Sequence, residues 1–461
     1  MRKAPESIAP EALTFDAALV MPGMVREERA YDLITPLFGG GVEAGVSDPL
    51  TLIRGPSIRG QLRFWWRATQ GGRFNGDLKA MRAEEARIWG AANDNDRSAE
   101  PVQSVQLAVE LSQEAERPKY VQAYDVVLKK GRPVLQPNSI APAYASFPLQ
   151  PQGDALIAGM ATKKVASNIF FSLTLLYPAA FRSDVTAALW AWETFGGVGG
   201  RTRRGFGALK PNQSALLPKD RSHVCEWLVT HWKAHVVGST WPDNVPNLGP
   251  GTQLVVAHDN AQASVVWKAL IKTLSDFRQQ RAGQYGRSYW PEPDAIRKLT
   301  GQTLRGHNQP MAPHPDGTPI GKFPRAVFGL PIVFHFKDSD RTAPDRNGAD
   351  PRDTMLVLQQ AERLASPLIL RPGACSDGSY YGIALVLGSR LRSNSMQLKL
   401  KTTKGQPASW PKPAEAPLAW RLTQNELDQL VAAGLQSDQL DPIQALLDRL
   451  GGDRVALEGE A

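Results

Sequence analysis

At 461 residues the chain is too long for one hydrophobic core, and two domains of ordinary size are expected. Its 42% hydrophobic and 21% charged content is that of a soluble globular protein, and its two cysteines, Cys225 and Cys375, exclude a disulfide framework and a cysteine-built zinc site. The net charge of +8 is uneven: residues 411–461 hold nine acidic and four basic side chains, so residues 1–410 carry +13, which points to an anionic partner without naming it.

In chain order, Met1 to Pro5 lacks the apolar core of a signal peptide, and a cytoplasmic protein is expected. Residues 31–38 (YDLITPLF) read as a strand ending before three glycines. A helix is predicted from Pro56-Ser57 to about Thr69, with Ser57 as its N-cap. Residues 77–89 read as a second, charged helix, and 93–119 as a polar outward loop. Residues 120–128 have strand character, and 169–177 (IFFSLTLLY) are the clearest strand of the chain. The apolar run 169–181 contains Ser172, Thr174 and Pro178 and is too short to span a bilayer. A helix over 183–195 follows, with Val185, Leu189 and Trp192 at core spacing, then a glycine-rich loop and a short strand near Leu209. The order β-α-β-β-α-β is ferredoxin-like, as in the RRM sheet. A boundary near 215 is expected, dividing 1–215 from 216–461. In the second half, helices are predicted near 222–237 and 263–281, and strands at 326–336, 367–370 and 380–387, in an order the sequence does not give.

The helix at 57–69 has two stripes. Ile58, Leu62, Trp65 and Thr69 share one face, which reads as core. Arg59, Arg63, Trp66 and Arg67 share the neighbouring one. A guanidinium fork pairs phosphate oxygens and stacks on bases, an exposed indole is a stacking platform, and the amides at Ser57 favour a phosphate. Reversing Arg59 and Arg63 is therefore expected to weaken RNA binding and leave the fold intact.

The loop 196–207 holds six glycines and three arginines, with no acidic residue from 196 to 210. Gly197, Gly199 and Gly200 allow close backbone approach to a ligand, and Arg201, Arg203 and Arg204 supply countercharge. A P-loop is excluded because Phe206 and Gly207 follow Gly205. A dinucleotide fingerprint is excluded because Thr202 occupies its third glycine position. No cofactor is expected.

The segments RGPSIRGQLRFWWRA (54–68) and FGGVGGRTRRGFG (195–207) together resemble the RAMP superfamily of CRISPR-associated proteins. GRSYWPEPDAIRK (286–298), FGLPIVF (328–334) and RLASPLIL (363–370) extend the resemblance to the first RAMP subunit of the type III-B Cmr effector complex. The insert at 93–119 and the acidic tail lie outside it. The resemblance implies an α+β chain of two ferredoxin-like (RRM-like) domains with insertions, facing each other across a basic cleft. It further implies an antiviral ribonucleoprotein in which this chain sits toward the 3′ end of the CRISPR RNA. There it would bind CRISPR RNA and target RNA without cutting them. Its neighbours would be the other head RAMP subunit, the repeated backbone subunit and the small helical subunit.

Three further features carry chemistry. Residues 278–305 hold six basic and two acidic side chains with Tyr285, Tyr289 and Trp290 between them, which makes Arg278, Arg281 and Arg287 RNA candidates, the alternative being a domain-packing loop. His231 and His235, with Cys225 and His223, have metal-ligand spacing, but Trp227, Leu228 and Trp232 mark their helix as core, and no metal site is assigned. His307, His314 and Asp48 could serve phosphodiester cleavage, yet no partner residue is identifiable for either histidine and Asp48 reads as an Asp-Pro turn. No catalytic residue is assigned. The rival readings are a RAMP endoribonuclease that processes CRISPR RNA, and an adaptor whose basic cleft binds protein.

Overall fold

The computed structural model describes residues 22–41, 45–48, 51–91, 104–112, 118–129, 132–150, 163–283, 286–336, 349–359, 361, 363–388, 397–402 and 418–457. The insert at 93–119 is therefore described only in part, and Tyr285 lies outside the described residues. The first half contains β1 (Met24–Leu33), α1 (Gly55–Gln70), α2 (Leu78–Trp89), β2 (Gln106–Leu111), β3 (Lys119–Gln122), β4 (Tyr124–Lys129), β5 (Arg132–Pro137), α3 (Ala143–Ser146), β6 (Lys164–Ser167), β7 (Phe170–Pro178), α4 (Arg182–Phe195) and β8 (Leu209–Pro211). Its main sheet has the order β2-β7-β1-β8 with every pair antiparallel. With α1 after β1 and α4 after β7, that is the ferredoxin-like topology. Helix α2, the antiparallel pair β3–β6 and the hairpin β4–β5 are insertions.

Two expected strands are displaced. The first runs over 24–33 rather than 31–38. Pro36 has no N–H for the ladder, and the chain leaves the sheet after Leu33. The second sheet strand is β2, inside the stretch expected to be a polar loop, whereas the strand-like 120–128 forms parts of two hairpins. Helix α1 also begins earlier than expected, at Gly55 with Arg54 as N-cap, so Ser57 is an exposed residue of the first turn and not the cap.

The second half contains α5 (Val224–His235), β9 (Gln253–Asn260), α6 (Ala263–Arg278), α7 (Glu292–Thr300), β10 (Ile332–Phe334), β11 (Thr354–Leu358), β12 (Leu368–Ala374), β13 (Tyr380–Val386), β14 (Leu398–Thr402), α8 (Gln424–Ala432), α9 (Pro442–Leu450) and β15 (Asp453–Arg454). The sheet order β12-β13-β9-β15, again antiparallel, repeats the first topology with α6 and α9 as its helices. The strand expected at 326–336 shortens to β10, because Pro324–Phe328 forms a 3-10 turn. β10, β11 and β14 make a small separate sheet.

The two main sheets are buried differently. In β7, Phe171, Leu173, Leu175 and Tyr177 face the core while the alternate residues are partly open, so the sequence alternates. The second sheet is covered on both faces. Leu368, Leu370, Ala384 and Val255 pack with Trp267 and Leu270 of α6. Ile369, Ile383, Leu385 and Val256 join the core of the first unit with Trp190, Trp192 and Trp232. Each such side chain contributes about 1.5–3 kcal/mol by leaving water, so the halves are joined by one apolar interface. Among the described residues no helix is long and apolar enough to cross a membrane.

Candidate nucleic-acid interface

The glycine-rich loop begins where α4 ends. Phe195 closes the helix, Val198 N–H donates to Gly207 O at 2.9 Å, and Gly200 N–H donates to Phe38 O at 2.7 Å. Between these ties Thr202–Arg204 forms a 3-10 turn, entered through Arg201 at φ +57° and left through Gly205 at φ +81°. Gly205 is required sterically as well: a Cβ there would lie 2.5 Å from Trp267 Nε1. Arg201 is one of four non-glycine residues with positive φ among the described residues, so the chain holds this guanidinium where its backbone would not go unaided.

Four arginines gather here from both halves. Arg204 donates to Leu368 O at 2.9 Å and to Ser366 Oγ at 3.1 Å, and Arg203 donates to Ser366 O. Arg278, at the end of α6, stacks over Phe328 at 5.3 Å and over Tyr144 at 6.0 Å. It is close enough to repel Arg204, whose pKa is pushed down to about 9 by burial first and by Arg278 next. Burial also lowers Arg201, and the phenol of Tyr144 acts against that shift. Among the described residues none of the four makes an ion pair, and the Nε atoms of Arg201 and Arg278 are buried without a hydrogen-bond partner. Guanidiniums that repel one another and lack countercharge are stabilised by a neighbouring anion. Tyr144 was not singled out in the sequence. Its neighbours in space are distant in the chain, so no local pattern marks it.

The other expected RNA residues are placed otherwise. Trp66 is fully buried and its Nε1 donates to Asp184 of α4 at 2.7 Å, so it is not a stacking platform. Arg59 donates to Trp89 O and Val105 O, both at 2.7 Å, capping the end of α2. Arg63 and Arg67 converge on Glu85, which is 3% exposed. The arginine stripe thus fastens α1 to α2, and the expectation that Arg59 and Arg63 could be reversed without harm to the fold is corrected. Gly197 is buried, whereas Gly199 and Gly200 are partly open. Arg203 lies over Phe64 of α1 at 5.6 Å, and this is where the helix and the loop meet.

In the segment 278–305, Arg281 is exposed. Arg287 pairs with Asp294 and donates to Gln309 O at 2.6 Å, and Trp290 is buried. Around Arg287, Asp294 and Arg297 the segment is an internal polar network. Arg297 grips Asp350 through Nε at 2.9 Å and Nη2 at 2.7 Å, and His307 Nδ1 meets the same carboxylate at 2.8 Å. Asp350 is therefore the partner that the sequence did not disclose for His307. Although burial opposes it, Arg297 holds the Asp350 pKa down to about 2. A depressed carboxylate stabilises above its unfolded pKa. About 2 kcal/mol should be fully present above pH 4 and lost as pH falls through 2. Urea melts between pH 5 and 2 should show this loss, and Asp350→Asn should abolish that part of the pH dependence.

His231 Nδ1–H donates to Trp227 O at 2.9 Å, and the ring stacks on Trp190. Burial holds the His235 pKa down to about 4. These rings belong to an aromatic cluster, and among the described residues no three His, Cys, Asp or Glu side chains gather as a metal site would require. His314 Nε2 lies 3.9 Å from Glu426. Asp48 accepts from Thr51 Oγ1.

Residues 31–210 match the model of the RAMP superfamily. The Cmr subunit Cmr1-2 of the CRISPR system of Pyrococcus furiosus is 27% identical over 197 residues, which are 40% of this chain and 94% of that protein. The crystal structure of apo Cmr1 from Pyrococcus furiosus superposes with a TM-score of 0.42 at 16% identity, covering 88% of this chain and 96% of the other.

Proposed function

We propose that this chain is a noncatalytic RNA-binding subunit of a cytoplasmic type III-B Cmr CRISPR effector complex. On this reading it sits toward the 3′ end of the CRISPR RNA, beside the other head RAMP subunit, the backbone subunit and the small helical subunit. It binds CRISPR RNA, or that RNA paired with its target, along the seam between two units that divide near residue 215. The observation that carries the reading is the group of Arg201, Arg203, Arg204 and Arg278, four guanidiniums with no carboxylate partner among the described residues. Gly199 and Gly200 are partly open beside them, and Ser57 and Arg281 remain exposed basic-surface candidates. The likeness to a Cmr subunit supports the choice of RNA over other anions.

The test is titration of labelled CRISPR RNA with the purified chain at several salt concentrations. Log affinity should fall linearly with log salt, by about 0.7 per phosphate contact on a single strand, and the RNA should stay whole. Binding that ignores salt, or no binding, would sink the RNA reading in favour of a protein-binding adaptor. RNA fragments that disappear in a His307→Ala or Asp48→Ala variant would establish the endoribonuclease instead.

A further inference from the structure

The guanidiniums of the loop are not equivalent. Arg203 and Arg204 spend donors on neutral acceptors of the second unit, namely Ser366 and Leu368. Arg201 has no such tie, and Arg278 touches only aromatic rings through its guanidinium, among the described residues. The turn itself is held from the second unit as well. Trp267 is fully buried, and its Nε1 donates to Arg204 O at 2.7 Å. Its ring meets Phe206 edge-on at 4.9 Å, and Phe206 meets Phe38 at 5.2 Å, the residue whose carbonyl receives Gly200 N–H. A chain of contacts therefore runs from α6 through the aromatic rings to the glycines that face outward.

We propose that Trp267 and Ser366 of the second unit are positioning residues for the glycine-rich loop of the first. They hold Arg203 and Arg204 as struts, and they leave Arg201 and Arg278 as the guanidiniums that meet the RNA phosphates. The first unit then cannot bind RNA well unless the second is docked, and by linkage RNA binding strengthens docking. The inference rests on the RNA reading above and assigns unlike roles to residues that the sequence presents as one motif.

The experiment separates contact from positioning by the salt slope. A phosphate contact contributes to the slope, whereas a strut changes affinity at constant slope. Full-length wild type, Trp267→Phe, Ser366→Ala and Arg201→Gln are titrated with a labelled single-stranded RNA at several salt concentrations, at a temperature where each is folded by circular dichroism. Trp267→Phe keeps an aromatic ring beside Phe206 and removes the indole N–H together with the volume of the second ring, so its fold is checked before its affinity is read. Its affinity should fall about tenfold, with the wild-type slope unchanged. Ser366→Ala should act in the same sense by about threefold, and it carries the test if Trp267→Phe does not fold. Arg201→Gln should shrink the slope by about 0.7. Wild-type affinity in both Trp267→Phe and Ser366→Ala overturns the inference, as does a slope reduced by either of them. An unchanged slope in Arg201→Gln also overturns the inference, because it removes Arg201 from the phosphate contacts, whereas no binding by the wild type overturns the RNA reading itself.

Discussion

Replacing Arg371 with methionine should destabilise the folded chain by about 3–5 kcal/mol, the cost of leaving several buried carbonyls without their donor. The side chain is 1% exposed and comes from β12 of the second sheet. Its Nη1 donates to Glu193 O at 2.8 Å and Gly196 O at 2.7 Å, and its Nη2 donates to Leu209 O at 2.8 Å. The first two acceptors lie at the C-terminal end of α4, where helix carbonyls have no partner of their own and the helix dipole favours a cation. The third lies on β8. One guanidinium therefore closes the end of a helix, the start of the glycine-rich loop and the last strand of the first sheet, all from the neighbouring unit.

Burial pushes the Arg371 pKa down to about 10, so the group remains charged at neutral pH and its desolvation is already part of the folded state. Methionine would relieve that cost, yet it takes the donor from four carbonyls, the three above and Pro372 O, at about 1–3 kcal/mol each where no water replaces it, which decides the sign. Arg371→Lys should fall between, since one ammonium cannot span the fork. Urea midpoints at pH 7 measure both. A methionine variant within about 1 kcal/mol of the wild type would show that water replaces the fork and that the seam does not depend on it.

The sequence disclosed most where a single periodicity ruled. β7 alternates because one face is covered, and Ile58, Leu62, Trp65 and Thr69 are all buried as their spacing predicts. It disclosed less where charge is part of the core. β1 carries Arg29 at 7% exposure, tied to Glu193 through both carboxylate oxygens, with Tyr31 on the same carboxylate at 2.7 Å. A strand with MVREERA in it reads as surface, and the apolar run that follows drew the expected strand too far along. β2 was hidden for a related reason: as an edge strand it exposes every second residue and looks like a polar loop.

The site was legible as composition and not as roles. Arg63, Arg67, Arg203 and Arg204 look alike in the sequence. Their fates are set by Glu85 on another helix and by Ser366 and Leu368 in another unit, which no local pattern reports. The Trp66 indole was placed on the solvent side for the same reason, since its partner Asp184 arrives on α4. The fold moves the positive surface from the helix stripe to the seam, where Arg278 joins the glycine-rich loop.

Reversing Arg201 and Arg278 together, to glutamate, should therefore do what reversal on α1 would not. Each removes a charge-assisted hydrogen bond to phosphate, worth about 1.5–3 kcal/mol. The pair should lower RNA affinity by more than about 100-fold, since every 1.4 kcal/mol is a factor of about ten. The fold should survive. Arg201 makes no hydrogen bond through Nε, and the cluster it leaves is one of mutually repelling cations, so the glutamates supply Arg203 and Arg204 with the countercharge they lack. The urea midpoint is expected to hold or rise while RNA binding collapses, a divergence that general unfolding cannot produce. Glutamate at Arg63 and Arg67 should give the opposite pattern, because Glu85 at 3% exposure would then face two like charges. If the seam variant binds RNA within about threefold of the wild type, less than one phosphate contact is worth, the phosphate contacts lie elsewhere on the basic surface.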